Sequence, residues 1–160
     1  MVRMVTVIVF ISMIQVLASG VLAHCQIPCG IYGDEMRFNM MNEHVSTIEK
    51  SMQMIIELSG EGEMNYNQLI RWVMNKETHA EHLQELAYQY FLAQRVKPVD
   101  REKKREYREY VDKIELLHHI IVYAMRAKQT TDLAHVAKLR SLISDFKTAY
   151  FSEAEEGHKH

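Results

Sequence analysis

The chain has 160 residues, with 19 lysines and arginines against 21 aspartates and glutamates, so its formal net charge at pH 7 is −2. Its most basic run, residues 101–108, is of mixed sign. The chain therefore lacks the clustered positive surface that phosphate binding requires, and nucleic acid is excluded as the expected partner. The length suffices for one domain with a sizeable core.

Residues 1–23 are predicted to be a signal peptide that is cleaved. Arg3 precedes an apolar stretch over residues 4–17, and small residues follow it. This stretch is shorter than the roughly 20 residues that span a bilayer, which disfavours the alternative of an uncleaved membrane anchor. Val21 and Ala23 occupy the positions that signal peptidase reads, so the mature chain is expected to begin at His24. We expect a protein exported to the periplasm or secreted, and not bound to a membrane after cleavage.

Four segments have the apolar spacing of three and four residues that is typical of amphipathic helices. The predicted core seams are Phe38, Met41, Val45, Ile48, Met52 and Ile55; then Leu69, Val73, Ala80, Leu83, Ala87 and Tyr90; then Tyr107, Val111, Ile114, Leu117 and Ile121; and finally Val136, Leu139, Ile143, Phe146 and Tyr150. No segment alternates with the period of two that a strand requires.

The predicted helix boundaries follow from capping and breaking residues. Asp34, Asn65 and Asp132 are suited to helix starts, while Gly60 and Pro98 are suited to ends. Four helices with short connections predict an all-α, antiparallel four-helix bundle. The predicted organisation is a signal peptide at 1–23, an irregular metal-binding hook at 24–33, the bundle at 34–152 and a flexible tail at 153–160.

The only two cysteines, Cys25 and Cys29, lie in the segment HCQIPCGIY at residues 24–32. Pro28 and Gly30 disfavour a helix there, so a compact hook is predicted. For an exported protein, a disulfide between the two thiols is the default expectation. A bridge across so short a loop contributes little to folding stability, which makes a purely structural role a weak explanation of the pair.

A metal ion is the other explanation of the hook. Once cleavage frees the amine of His24, that amine, the backbone nitrogen of Cys25 and the Cys25 thiolate can close two five-membered chelate rings. The Cys29 thiolate can occupy the fourth corner of a square, and the His24 imidazole an axial position. Square-planar nitrogen and sulfur ligation suits Ni(II) or Cu(II), whereas zinc prefers a tetrahedron. Two thiolates and an ionised amide also stabilise the higher oxidation state, which brings Ni(III) within reach.

The pattern His-Cys-x-x-Pro-Cys-Gly-x-Tyr at residues 24–32 resembles the nickel-binding hook of the nickel superoxide dismutase family. The segments RFNMMNEHVSTIEKSM and NQLIRWVMNKETHAEH are similar to the helical segments of that family, whose fold is a four-helix bundle. The resemblance implies a nickel-dependent superoxide dismutase with one nickel ion per subunit, cycling between Ni(III) and Ni(II). Superoxide would be its substrate, dioxygen and hydrogen peroxide its products, antioxidant defence its role, and a homohexamer its assembly.

The resemblance also assigns roles to five residues. His24, Cys25 and Cys29 would be the metal ligands, and Tyr32 would stand over the open axial face as a catalytic residue. Tyr90, in QYFLAQR at 89–95, would support Tyr32 as a second active-site tyrosine. Tyr90 also lies on a predicted core seam, so a packing role remains an equal alternative.

Three further interpretations stay open. An exported, non-enzymatic bundle that binds nickel or copper is the alternative function, although such a carrier needs no gate like Tyr32. Glu43 and Arg71 are candidates for the acid–base pair that orients the axial imidazole in the family. His79 and His82 share a helix face and can bind a metal ion, but a solvated face is the expectation for them.

Overall fold

The structure of the protein is a computed structural model that describes residues 33–60 and 65–156, with side chains up to Ser152. All of these residues belong to one of the chain's two units, Tyr32–His160. Helix α1 spans Asp34–Gly60, α2 spans Tyr66–Glu85 and continues as a π-helical segment over Leu86–Arg95, α3 spans Lys104–Gln129, and α4 spans Ala134–Glu156. The described residues contain no strand, and the prediction of an all-α fold is confirmed.

Contacts between neighbouring helices show that the helices run antiparallel. Within each pair of helices, residue numbers rise along one helix as they fall along the other. The pairs are His44–His79 and Ser51–Asn75 between α1 and α2, Lys76–Lys128 and Gln84–Ile121 between α2 and α3, and Glu35–Lys147 and Glu49–Arg140 between α1 and α4. Helices α3 and α4, joined by residues 130–133, also pack on each other. The predicted antiparallel four-helix bundle is thereby confirmed.

The core lies along the predicted seams of α1 and α4. All six predicted apolar residues of α1 are buried, as are four of the five in α4, with Tyr150 partly buried. Phe38 of α1 is the centre of an aromatic cluster, with its ring 4.8 Å from that of Phe91 and 5.4 Å from that of Phe146. These contacts between three elements join the bundle at the end where α1 begins.

The predicted seams of α2 and α3 are only partly right. Val73 and Val111 are each 38% exposed, whereas Ile120, which the prediction omitted, is fully buried. Two lysines, Lys76 and Lys113, are also buried. A lysine can serve as a core residue when its methylene stem packs against apolar side chains and its ammonium group has acceptors. The apolar period alone cannot identify such positions.

Lys76 illustrates how a buried lysine is satisfied. Its Nζ donates to the backbone oxygens of Lys128, at 2.6 Å, and Thr130, at 3.0 Å. These carbonyls lie at the C-terminal end of α3, where backbone oxygens have no partner within the helix and the helix dipole favours a cation. Lys76 therefore ties α2 to the end of α3.

The helix starts follow the predicted capping residues in two cases. The side chain of Asn65 accepts a hydrogen bond from the backbone N–H of Gln68 at 3.2 Å. The side chain of Asp132 accepts one from the N–H of Ala134 at 2.9 Å. Helix α1 ends at Gly60, as expected. None of the described helices combines the length and apolar character required to cross a membrane.

Candidate functional site

Four of the predicted site residues, His24, Cys25, Cys29 and Tyr32, lie outside the described residues, and their roles stay predictions. The description begins at the residue directly after Tyr32. Tyr90 is the predicted site residue that the structure does describe. Tyr90 and the start of α1, which follows the hook segment in sequence, are therefore the described part of the candidate site.

Tyr90 lies in the π-helical segment Leu86–Arg95. This segment ends with the N–H of Val96 donating to the carbonyl of Phe91 at 2.8 Å, which is the five-residue hydrogen bond of a π-helix. Such segments are rare and are frequently found at functional sites. Arg95 follows Tyr90 by five residues, which is the hydrogen-bond spacing of a π-helix, and the two side chains are in contact. Its Nη2 donates to the hydroxyl oxygen of Tyr90 at 2.8 Å.

Asp34, the first residue of α1, binds three side chains from two other elements. Its Oδ1 accepts a short hydrogen bond from the Tyr90 hydroxyl, and its Oδ2 accepts one from the Tyr150 hydroxyl at 2.8 Å. The Nε of Arg95 lies 3.1 Å from Oδ1 as an ion pair, but is not aligned as a hydrogen bond. We call these four residues the Asp34 cluster. The sequence predicted Asp34 as a helix cap, whereas its carboxylate joins α1 to the π-helical segment and to α4.

The side chain of Tyr90 is enclosed on all sides. It is 3% exposed, and its ring packs edge-on against Phe91, with centroids 5.1 Å apart. The guanidinium carbons of Arg37 and Arg95 lie 4.8 Å and 4.9 Å from the ring centroid, where cations are attracted to the ring. Its hydroxyl both donates and accepts within the Asp34 cluster. Tyr90 therefore has the packing role that the sequence offered as one alternative, while its support of Tyr32 stays a prediction.

Contacts within the Asp34 cluster raise the pKa of two of its members, Arg95 and Tyr150. The hydrogen bond with Tyr90, and then the charge of Asp34, raise the pKa of Arg95 against an opposing effect of burial. Burial, followed by the hydrogen bond to Asp34, raises the pKa of Tyr150 well above the usual value for a tyrosine. At neutral pH, Arg95 is thus a cation and Tyr150 is a protonated donor.

A cavity of about 420 Å³ lies beside the Asp34 cluster. Three cationic side chains and one acidic side chain contribute to its wall, and the remaining lining residues are apolar or aromatic. The lining residues are Asp34, Arg95, Val96, Lys97, Val99, Tyr110, Lys113, Tyr150 and Phe151. An excess of positive charge in a concave surface attracts small anions and raises their local concentration.

The candidate acid–base pair Glu43 and Arg71 is not brought together. Glu43 lines a shallow depression on α1, whereas Arg71 lines a separate one with Trp72 and Asn75 of α2. Both side chains are exposed. The structure thus gives no support for the two acting as a pair.

Sequence reasoning missed Asp34, Arg95 and Tyr150 as members of one site. Asp34 is separated from Tyr90 by 56 residues and from Tyr150 by 116. A possible signal was the placement of Tyr150 at the end of a core seam, where a tyrosine needs a partner for its hydroxyl. The identity of that partner depends on how the helices are arranged in space.

Comparison with known proteins adds one finding. The family described as nickel-containing superoxide dismutase matches residues 19–154. No curated protein and no solved structure matches the chain.

Proposed function

We propose that this chain, which belongs to the nickel-containing superoxide dismutase family, disproportionates superoxide to dioxygen and hydrogen peroxide. One nickel ion per subunit would be its cofactor. The observation that carries the proposal is the extent of the family match. It covers the hook segment at 24–32 together with nearly the whole helical bundle.

The donor set of the hook fits nickel by its chemistry. We infer that the amine and imidazole of His24, the backbone nitrogen and thiolate of Cys25, and the thiolate of Cys29 hold the ion. Nitrogen and thiolate donors of this kind are those that Ni(II) accepts in a square-planar arrangement. A nickel ion held there would supply one-electron redox chemistry between Ni(III) and Ni(II). We assign Tyr32 to the approach of the substrate, where its hydroxyl would hydrogen-bond the incoming anion and exclude larger ligands.

We infer that the Asp34 cluster fixes the chain at the start of α1, directly after the hook segment in sequence. Asp34 is two residues beyond Tyr32, and its carboxylate is held by Tyr90, Tyr150 and Arg95. An anchor at this position limits the movement of the chain where the hook ends. We infer that Tyr90 acts as a positioning residue through Asp34, because its hydroxyl is already committed to Asp34 and Arg95.

The cationic cavity suits an anionic substrate. Among the described residues, Arg95, Lys97 and Lys113 line it together with the carboxylate of Asp34. Superoxide carries one negative charge, and positive potential in a cleft raises the rate at which such an anion is captured. This attraction weakens as salt screens the charges. A turnover rate that falls with ionic strength is the corresponding expectation.

We further propose that the protein is exported and assembles as a homo-oligomer, a hexamer by analogy with the family. The features of residues 1–23 support export, since cleavage there also frees the amine that the hook requires. Exposed apolar side chains support assembly. Tyr66, Ile70 and Met74 follow one another at four-residue spacing on α2 and are 57–64% exposed.

The proposal is tested on the mature chain beginning at His24, loaded with nickel. Metal content is measured by mass spectrometry and superoxide decay by stopped-flow absorbance. We expect one nickel ion per chain and catalytic decay that depends on nickel. Nickel binding without turnover would overturn the proposal in favour of a non-enzymatic carrier.

The matched control carries one additional residue before His24. This residue converts the terminal amine into an amide, while the imidazole and both thiols remain. We expect nickel affinity and turnover to fall nearly as far as in Cys25→Ser or Cys29→Ser. Full activity in the extended chain would contradict the role assigned to the amine.

A further inference from the structure

Three histidines from two helices meet on the surface of the bundle. His44 of α1 faces His79 and His82 of α2, and the Nδ1 atoms of His44 and His79 are 3.0 Å apart. The ring centroid of His44 lies 5.1 Å from that of His79 and 5.4 Å from that of His82. His44 and His79 are partly buried, and His82 is exposed. The sequence pointed to His79 and His82, and the fold adds His44.

The spacing of His44 and His79 is close to that of two ligands on one ion. At a metal–nitrogen bond length of about 2.0–2.1 Å, two ligating nitrogens lie about 2.9 Å apart at a right angle and about 3.4 Å apart at the tetrahedral angle. The observed 3.0 Å falls within this interval. A single hydrogen bond between a protonated and an unprotonated Nδ1 also explains this distance. The position of His82 therefore distinguishes a metal site from a hydrogen bond.

His82 is close to the position that a third ligand would occupy. Rings on a tetrahedral ion have centroids about 5.2 Å apart. The separation of His82 from His44 agrees with this value, while its separation from His79 is 6.0 Å. Within residues 33–60 and 65–156, no three such side chains already stand in a ligating arrangement. His82 is exposed, so rotation about its own side-chain bonds can bring its ring towards the other two.

Two of the three rings, His44 and His79, favour the neutral form in the folded protein. Burial, followed by the charges of His79 and His82, lowers the pKa of His44 to about 4. Burial and then His82 lower the pKa of His79. Neutral imidazole is the ligand form of histidine, so binding at neutral pH costs little or no deprotonation of these two rings.

We propose that His44, His79 and His82 form a second metal site, distinct from the hook, that binds Zn(II) or a similar divalent ion through three imidazole nitrogens. Water would complete the coordination sphere, since three protein ligands leave a fourth position open. The ion would link α1 to α2 across the middle of the bundle. The site shares no ligand with the hook and does not depend on the proposed enzymatic activity.

The test is a calorimetric titration with Zn(II) alone on the mature chain carrying Cys25→Ser and Cys29→Ser, which removes the hook thiolates. We expect one equivalent of Zn(II) to bind at neutral pH. Adding His82→Asn should weaken this binding by at least the roughly 10- to 100-fold that loss of an outer-shell partner costs at metal sites. His82 is exposed, so this variant is expected to fold normally.

The matched control is His118→Asn in the same background, because His118 is an exposed histidine on α3, outside this group. Zn(II) binding should be unchanged in this variant. Nuclear magnetic resonance of the histidine rings should show changes at all three proposed ligands when Zn(II) is added. Absence of Zn(II) binding in the parent, or equal affinity in the parent and His82→Asn, would overturn the proposal and leave a hydrogen bond between His44 and His79.

Discussion

Replacing Asp34 with alanine should destabilise the bundle and the start of α1 far more than its surface position suggests. The Asp34 side chain is only 24% exposed. It accepts hydrogen bonds from Tyr90 and Tyr150 and is ion-paired with Arg95. Asp34→Ala removes all three interactions and leaves two tyrosine hydroxyls and a cation without their acceptor.

The magnitude follows from the two hydrogen bonds to the carboxylate. Each hydrogen bond to a charged group contributes about 1.5–3 kcal/mol, and water can replace part of this where the site is accessible. We therefore expect a loss of about 2–4 kcal/mol in the free energy of unfolding. For a chain of this length, this corresponds to a fall in Tm on the order of 10 °C.

The neighbouring residue provides the control. Glu35 pairs with Lys147 of α4 in the same turn of α1, but its side chain is 58% exposed. Such surface pairs contribute only about 0–1 kcal/mol, so Glu35→Ala should have a small effect. Both variants are compared by urea unfolding followed by circular dichroism. Equal destabilisation by Asp34→Ala and Glu35→Ala would refute the reasoning.

A double-mutant cycle then identifies the interaction responsible. Tyr150→Phe alone removes the donor to Oδ2 of Asp34 and should cost about 1–2 kcal/mol. In the Asp34→Ala background it should cost almost nothing, because the acceptor is already absent. Costs that simply add would show that the two side chains stabilise the fold independently.

The other predictions concern a histidine, a buried lysine and the hook. The lowered pKa of His44 means that the folded state favours the neutral ring. The resulting contribution to the free energy of unfolding is present above pH 6.5 and is lost as the pH falls towards 4. After allowance for the half-exposed ring, we expect a loss of about 1–2 kcal/mol across this window, and a flatter urea-unfolding profile against pH for His44→Asn. Lys76→Met should lower the free energy of unfolding by about 2–4 kcal/mol, because two carbonyls at the end of α3 lose a charged donor; a change below 1 kcal/mol would contradict this. His24→Ala should retain some nickel by mass spectrometry but lose most superoxide turnover, whereas an unchanged rate would remove the axial role from the imidazole.

The helix seams show what the apolar pattern can predict. In α1 and α4 the seam consists of large apolar residues at regular spacing, and burial follows the pattern closely. In α3 the buried face includes Lys113, Ala124 and Ala127, whereas Val111 is exposed. The orientation of this helix is set by packing against its neighbours, and small or amphipathic side chains fit that interface better than the pattern indicates.

The hook lies outside the described residues and stays a prediction, which the sequence alone can make because the chemistry is local. The donor atoms of His24 and Cys25 are joined by a few covalent bonds, so their ability to chelate one ion follows from the order of residues. The family match over residues 19–154 includes this segment in its range. No tertiary contact is needed to bring these donors together.

The residues of the Asp34 cluster, and the three histidines, are brought together only by the tertiary structure. Asp34 and Tyr150 meet although 116 residues separate them, and His44 and His79 meet across 35. The apolar period determines which face of each helix is buried. Which polar side chains then meet depends on the register and rotation of the packed helices, and these are set by the interlocking of the whole core.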